Sequence, residues 1–365
     1  MRQSLQCGRG LVLAACLATL ASAACECGYY YNSTSTAGIT SRQVWTDAFE
    51  TDFLHAPKIN GDMGWRPQVY TVPSEKARGT FGKDAALENV IANPLKDNKT
   101  WTGEGANGGD AGAQLLVRSQ LKGDAIPMAE IVGIRDDMLY GSFRVSMKIN
   151  DIPGSCAAFF FYHNDTQEID IEFLTREFNE TSNLINLISQ SPASADAGFD
   201  ASGTPGFKTY NLPFKPYEGF HEYRFDWSPG LITYYADNQK LYELTVDVPD
   251  SPGHLVLNHW SNGDPKWSGG PPTADSTMTV SYVKAYFNSS NPDAGSQFDK
   301  RCPDPGDVSK ICGIPDQNTP PPDASQGGDT GAQTTFLTSA AGRRSPVGWS
   351  LWSVAIFSAV VFSTC

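Results

Sequence analysis

The chain is 365 residues long, carries a formal net charge of −13 and is 18% charged. That acidic balance disfavours nucleic acid and anionic membrane surfaces as partners and leaves neutral ones open. Its 34 glycines and 24 prolines fall between short apolar runs, so turns rather than long helices set the rhythm of the sequence.

At the start, Arg2 and Arg9 flank the approach to an apolar run at 11–20, and Ala21-Ser22-Ala23 follows as a small-residue cleavage pattern. The run is too short to span a bilayer comfortably. Residues 1–24 are therefore expected to be a signal peptide removed on secretion. In an oxidising compartment Cys25 and Cys27 would find partners in Cys302 and Cys312. A staple between the chain ends and a local Cys302–Cys312 bridge both remain open. Cys156 precedes an apolar strand and reads as a buried free thiol. Asn32, Asn98, Asn164, Asn179 and Asn288 each stand in an Asn-x-Ser/Thr sequon, five glycosylation acceptors that agree with secretion.

Strand-like runs follow at 113–118, 141–149, 157–162, 168–174, 184–189, 220–227, 231–237, 254–260 and 278–288. Several alternate apolar and polar residues, as in Phe143, Val145, Met147 and Ile149. The expected fold is all-β, a single domain over 25–296 built as a sandwich of two antiparallel sheets. Crossover helices for an α/β fold are missing. Gly103 to Gly108 formally matches G-x-G-x-x-G, but no apolar strand precedes it and no helical pattern follows, so it does not read as a dinucleotide site. His254 and His259 fall on opposite strand faces, a poor metal pair. No cofactor and no metal are expected.

The most informative segment is Glu168-Ile169-Asp170-Ile171-Glu172-Phe173-Leu174. In a strand, Ile169, Ile171 and Phe173 share the core face and Glu168, Asp170 and Glu172 share the other. Three neighbouring acids repel, and at least one must hold its proton to a higher pH. A protonated carboxyl beside an ionised one is what glycoside hydrolysis requires. A solvated edge-strand face and a Ca²⁺ site are the competing readings; one flat strand face wraps an ion poorly. Sugar rings offer apolar C–H faces to aromatic side chains, which makes Tyr162, Trp260, Trp267 and Trp101 platform candidates. His163 is a candidate for substrate contact, and His221 reads as a structural histidine.

Residues 297–312 form a cysteine-containing extension. From 313 to 344 the composition turns to Pro, Ser, Gly and Thr and reads as a flexible stalk. The small residues at 339–342, then Arg343 and Arg344, then an uncharged tail over 345–365, read as a GPI-attachment signal with Ser339 as the attachment residue. An ordinary transmembrane helix is the alternative, but nothing basic follows the tail. Four arginines and no acids lie in the segments expected to be lost, which takes the remainder to about −17.

The hexapeptide Glu168-Ile169-Asp170-Ile171-Glu172-Phe173 resembles the E-I-D-I-E-F signature of glycoside hydrolase family 16, which embraces lichenases, laminarinases, xyloglucan transglycosylases and fungal wall glucan–chitin transglycosidases. Tyr140-Gly141-Ser142-Phe143 upstream, and His221 to Pro229 and Asn258 to Gly263 downstream, extend the resemblance over 140–288. Gln167 departs from the Asp often found there. The resemblance implies a jelly-roll sandwich of the concanavalin A-like lectin/glucanase type, with Glu168 as nucleophile, Glu172 as acid/base and Asp170 steadying the nucleophile. It also implies Asn186 facing the substrate. The expectation is a retaining endo-β-glycosidase or transglycosidase acting on a β-glucan polysaccharide. The enzyme would be a monomer at the cell surface or wall, held to the membrane only by its lipid anchor. A lectin-like binding module on the same fold is the alternative.

Overall fold

A computed structural model describes residues 25–34, 40–315 and 331–337. The expected signal segment, Ser339, the apolar tail and most of the stalk lie outside the described residues. Twenty strands run in chain order among those described: β1 (Tyr29–Thr34), β2 (Thr40–Trp45), β3 (Asp47–Asp52), β4 (Trp65–Pro67), β5 (Tyr70–Val72), β6 (Gly82–Ala85), β7 (Val90–Asn93), β8 (Gly112–Val117), β9 (Ala125–Gly133) and β10 (Met138–Ile149). These are followed by β11 (Cys156–Asn164), β12 (Gln167–Leu174), β13 (Leu184–Gln190), β14 (Phe207–Asn211), β15 (His221–Ser228), β16 (Leu231–Ala236), β17 (Gln239–Leu244), β18 (His254–Trp260), β19 (Ser276–Ser289) and β20 (Cys312–Gly313). Every run expected from the sequence is present within a few residues.

Two large sheets form the sandwich. One takes the order β17-β16-β15-β10-β19-β8-β7, with β3 also pairing β19. The other takes β14-β13-β12-β11-β18-β9-β6-β5, with β4 also pairing β9. Pairing is antiparallel except where β6 meets β9. Alternation puts one face of each strand into a shared apolar layer. Phe143, Val145, Phe225 and Trp227 from the first sheet meet Phe159, Phe161, Ile169, Ile171 and Phe173 from the second, all fully buried. Phe143 stacks on Phe225 with centroids 5.0 Å apart, and Phe161 meets Trp227 at 4.5 Å. Each such side chain contributes about 1.5–3 kcal/mol on leaving water. Core residues Ile169, Ile171 and Phe173 thereby fix the register that turns the three acids of β12 outward.

The chain ends are joined. Cys25 is bonded to Cys312 and Cys27 to Cys302, across 287 and 275 residues. The end-to-end staple is thus realised and the local bridge is not. The extension over 297–312 belongs to the folded unit, because β20 pairs in parallel with β1. The stalk reading does not hold for residues 331–337. Gln333 donates to the Trp101 carbonyl at 3.2 Å, Lys284 donates to the Thr335 carbonyl at 2.9 Å, and Phe336 stacks on Trp101. Of the sequons, Asn32, Asn98, Asn164 and Asn179 are exposed, whereas Asn288 is half-buried within β19 opposite Leu139.

Candidate active site

β12 lies between β11 and β13, and its register sets the neighbours of each acid. Glu168 is flanked by Tyr162 and Gln190, Asp170 by Phe160 and Ile188, and Glu172 by Ala158 and Asn186. Beyond β11, β18 adds His254, Val256 and Asn258 to the three rows, and β9 brings Glu130 opposite Asn258. Apolar flanks strip water from Asp170, which is 1% exposed; Glu168 and Glu172 stay partly open.

The electrostatics follow from that burial. Desolvation raises Glu168 to about 7; a hydrogen bond with Asp170 opposes the rise and repulsion from Glu172 adds to it. Desolvation likewise raises Glu172 to about 7, against hydrogen bonds from Trp267 and Cys156 and the nearby charges of Lys83 and Arg78. Asp170 is pushed well above the usual carboxylate range by burial and by Glu168. One Asp170 oxygen, Oδ2, has no hydrogen-bond partner within the protein. Because these groups interact strongly, the protons belong to the set rather than to single residues. Around neutral pH the set holds some carboxyls protonated and others ionised, which is the pairing that acid-assisted displacement at an acetal carbon needs.

Trp267 reaches this strand from the loop after β18. Its indole N–H donates to Glu172 Oε2 at 2.9 Å. The loop is held by Arg176, which donates to the carbonyls of Pro265 at 2.8 Å and Lys266 at 2.5 Å. Asn262 ties the same loop to the segment carrying Arg78: its side chain donates to the Ala77 carbonyl at 2.7 Å, and its own carbonyl accepts from Phe81 N at 2.8 Å. Gly79 is required there, since a Cβ would lie 2.3 Å from the Asn262 carbonyl oxygen. Asn186 is buried, donates to Glu177 at 3.4 Å and accepts from Thr209 at 3.1 Å. Tyr162 shares the acid face and donates to Asp165 at 2.7 Å.

Two expectations fail and a third changes form. His163 has the opposite parity to the outward-facing residues of β11; it is exposed at the strand end, where Nδ1 bonds to the Pro252 carbonyl at 2.7 Å, away from the acids. Trp101 is not a platform, because it packs between His55 and Phe336. Trp260 does face outward, but the Lys83 ammonium lies over its ring, 4.7 Å from the centroid. His221 is structural, bonded to Asp237 at 2.7 Å and stacked on Phe214. Sequence reasoning missed Lys83, Arg78, Glu130 and the influence of Cys156 on Glu172. Among the described residues no group of three or more His, Cys, Asp or Glu is placed to hold a metal.

Comparison with known proteins agrees with this geometry. Residues 99–284 match the family model described as glycosyl hydrolases family 16. The chain is 33% identical over 137 residues to a beta-glucanase of Paenibacillus macerans, covering 36% of this chain and 52% of that one. It is 27% identical over 226 residues to a beta-glucanase of Paenibacillus polymyxa, covering 60% of this chain and 84% of that one. A xylanase/beta-glucanase of Ruminococcus flavefaciens is 32% identical over 126 residues, 33% of this chain and 14% of that much longer protein. The chain therefore spans from a small fraction to most of the length of these relatives.

Proposed function

The chain belongs to glycosyl hydrolases family 16, and from that premise we propose that it is a retaining endo-β-glycosidase of β-glucan polysaccharides, able to transfer as well as hydrolyse. The observation that carries this reading is the set on β12: Glu168 and Glu172 share one face with Asp170 between them, and burial raises both glutamates to about 7. In the first half-reaction the Glu168 carboxylate attacks the anomeric carbon. The glycosidic C–O bond breaks, and the proton of Glu172 goes to the leaving oxygen. In the second half, Glu172 takes a proton from water or from a sugar hydroxyl. That oxygen displaces Glu168 from the anomeric carbon, and the Glu168 carboxylate is regenerated. Asp170, hydrogen-bonded to Glu168, steadies the nucleophile between attacks.

Beta-glucanase relatives support a β-glucan as substrate. A sugar hydroxyl competing with water would turn hydrolysis into transfer, and the signal and anchor patterns at the chain ends support a surface-held enzyme that remodels a wall. The test uses the secreted chain with mixed-linkage, β-1,3- and xyloglucan oligosaccharides, with and without a fluorescent acceptor. Shortened products that vanish in Glu168→Gln and Glu172→Gln are expected, with longer labelled products where transfer operates. Binding without turnover across the panel would instead return the lectin-like reading.

A further inference from the structure

Lys83 stands out among the charged groups on the outer face of the second sheet. It sits on β6, and its Nζ lies 4.7 Å from the centre of the Trp260 ring. It is partly buried, and Arg78, Glu130 and Glu172 all act on its charge. Yet the Lys83 ammonium makes no hydrogen bond or ion pair with any described residue, its contact being the Trp260 ring. An ammonium carries three N–H donors, and a ring face satisfies it only through its quadrupole. The neighbouring carboxylate acceptors are already engaged. Glu130 is already held by Tyr70 at 3.0 Å and Asn258 at 3.3 Å, and Glu172 by Trp267. A desolvated donor of this kind loses free energy until something supplies an acceptor.

The position of Lys83 says where that acceptor comes from. Trp260 is paired with Cys156 across β18 and β11, and Ala158, two residues further along β11, is paired with Glu172. β6 lies beyond β9, so Lys83 approaches Trp260 from the far side of β18 relative to the carboxylate strand. A polymer laid across the strands, with its scissile bond at β12, would bring a sugar some strands away over Trp260. We propose that Lys83 is a specificity-determining residue whose ammonium donates to a hydroxyl oxygen of an uncharged sugar bound over Trp260. The inference rests on the glycosidase reading above. Uncharged is the class the surroundings favour: Glu130, Asp165, Glu168, Glu172 and Asp264 outnumber the cations Lys83 and Arg78, so an acidic sugar would meet net repulsion. Lys83 also keeps one face of Trp260 from acting as a bare stacking platform.

The test compares Lys83→Met and Lys83→Arg, each in the Glu168→Gln chain, by calorimetric titration with a ladder of neutral β-glucan oligosaccharides. Meanwhile the active forms are assayed for KM and pH profile. Losing a hydrogen bond from a charged donor should weaken Lys83→Met about ten- to a hundredfold for oligosaccharides long enough to reach Trp260. The loss should fade as the ladder shortens, and Lys83→Arg should recover much of it. KM should rise in parallel, and the alkaline limb should move up only in Lys83→Met, which also takes a cation away from Glu172. An affinity unchanged at every length, with the pH limbs displaced, would overturn the proposal and leave Lys83 as a charge acting on Glu172 alone. Tighter binding by Lys83→Met would overturn it too, by making Trp260 the platform and Lys83 an obstacle. If the Glu168→Gln parent binds no oligosaccharide and the wild type cleaves none, the glycosidase reading falls and this inference falls with it.

Discussion

Trp267 donates its indole N–H to Glu172 Oε2 at 2.9 Å, from a loop 95 residues further along the chain. A donor on a carboxylate favours the ionised form, so this bond restrains a carboxyl that burial has pushed up to about 7. Glu172 must carry a proton to act as an acid. The loop thus sets the upper pH at which the acid works. Arg176, fastened to Pro265 and Lys266, holds the loop in place.

Trp267→Phe keeps the ring and removes the donor. The protonated form of Glu172 then persists to higher pH, and the alkaline limb of kcat/KM should move up by about half a unit to one unit. A pH–rate profile of the variant against the wild type checks this.

Glu172→Gln keeps the shape of the acid and removes its proton. The rate on a substrate with a poor leaving group should fall about 10²–10⁴-fold, the usual share of general acid–base catalysis. An activated aryl leaving group needs no proton, so its first half-reaction should be largely spared. Steady-state assays on the two substrate types separate these effects.

Both glutamates rise from 4.5 to about 7 on folding. The folded chain therefore keeps protons that the unfolded chain releases between about pH 4.5 and 7. That contribution to stability is fully present below the lower value and is lost as pH rises through the upper one. Glu172→Gln removes one of these two carboxyls and with it that share of the dependence. Above pH 7 it should exceed the wild type by about 1 kcal/mol or more, roughly 2–4 °C in Tm. Near pH 4 the advantage should disappear. Thermal melts across pH read the difference directly.

Cys27–Cys302 and Cys25–Cys312 close loops of 275 and 287 residues between the ends of the chain. Neither touches the acids. Replacing Cys27 and Cys302 together by Ala should cost about 2–5 kcal/mol of stability and leave kcat unchanged at temperatures where the chain stays folded. Denaturant unfolding alongside an activity assay checks both halves.

The central strand was legible because one period governs it. Alternation alone put Ile169, Ile171 and Phe173 in the core and the acids outside, and the structure bears that out. The family resemblance covering 140–288 was legible for the same reason, since its strands are long and regular. What escaped was the far half of the site. Lys83 lies on a four-residue strand and Glu130 on one interrupted by Pro127, neither with a clean alternation. Their meeting with Trp260 and Asn258 depends on sheet order rather than on sequence distance. His163 failed because the ladder shifts between Tyr162 and Asn164, so proximity along the chain to Glu168 was not proximity in space. The platform expectation for Trp101 fails because nothing in its local sequence reveals that residues 331–337 fold back onto it.

The most direct test of the account is the configuration of the first product. A neutral β-glucan oligosaccharide would be cleaved by the wild-type chain inside an NMR tube, and the anomeric proton signals followed from the first seconds, before mutarotation. Displacement by Glu168 followed by displacement of Glu168 predicts that the new reducing end appears as the β-anomer, with the α-anomer growing in later. Initial appearance of the α-anomer would mean a single displacement by water, and Glu168 would not be the nucleophile.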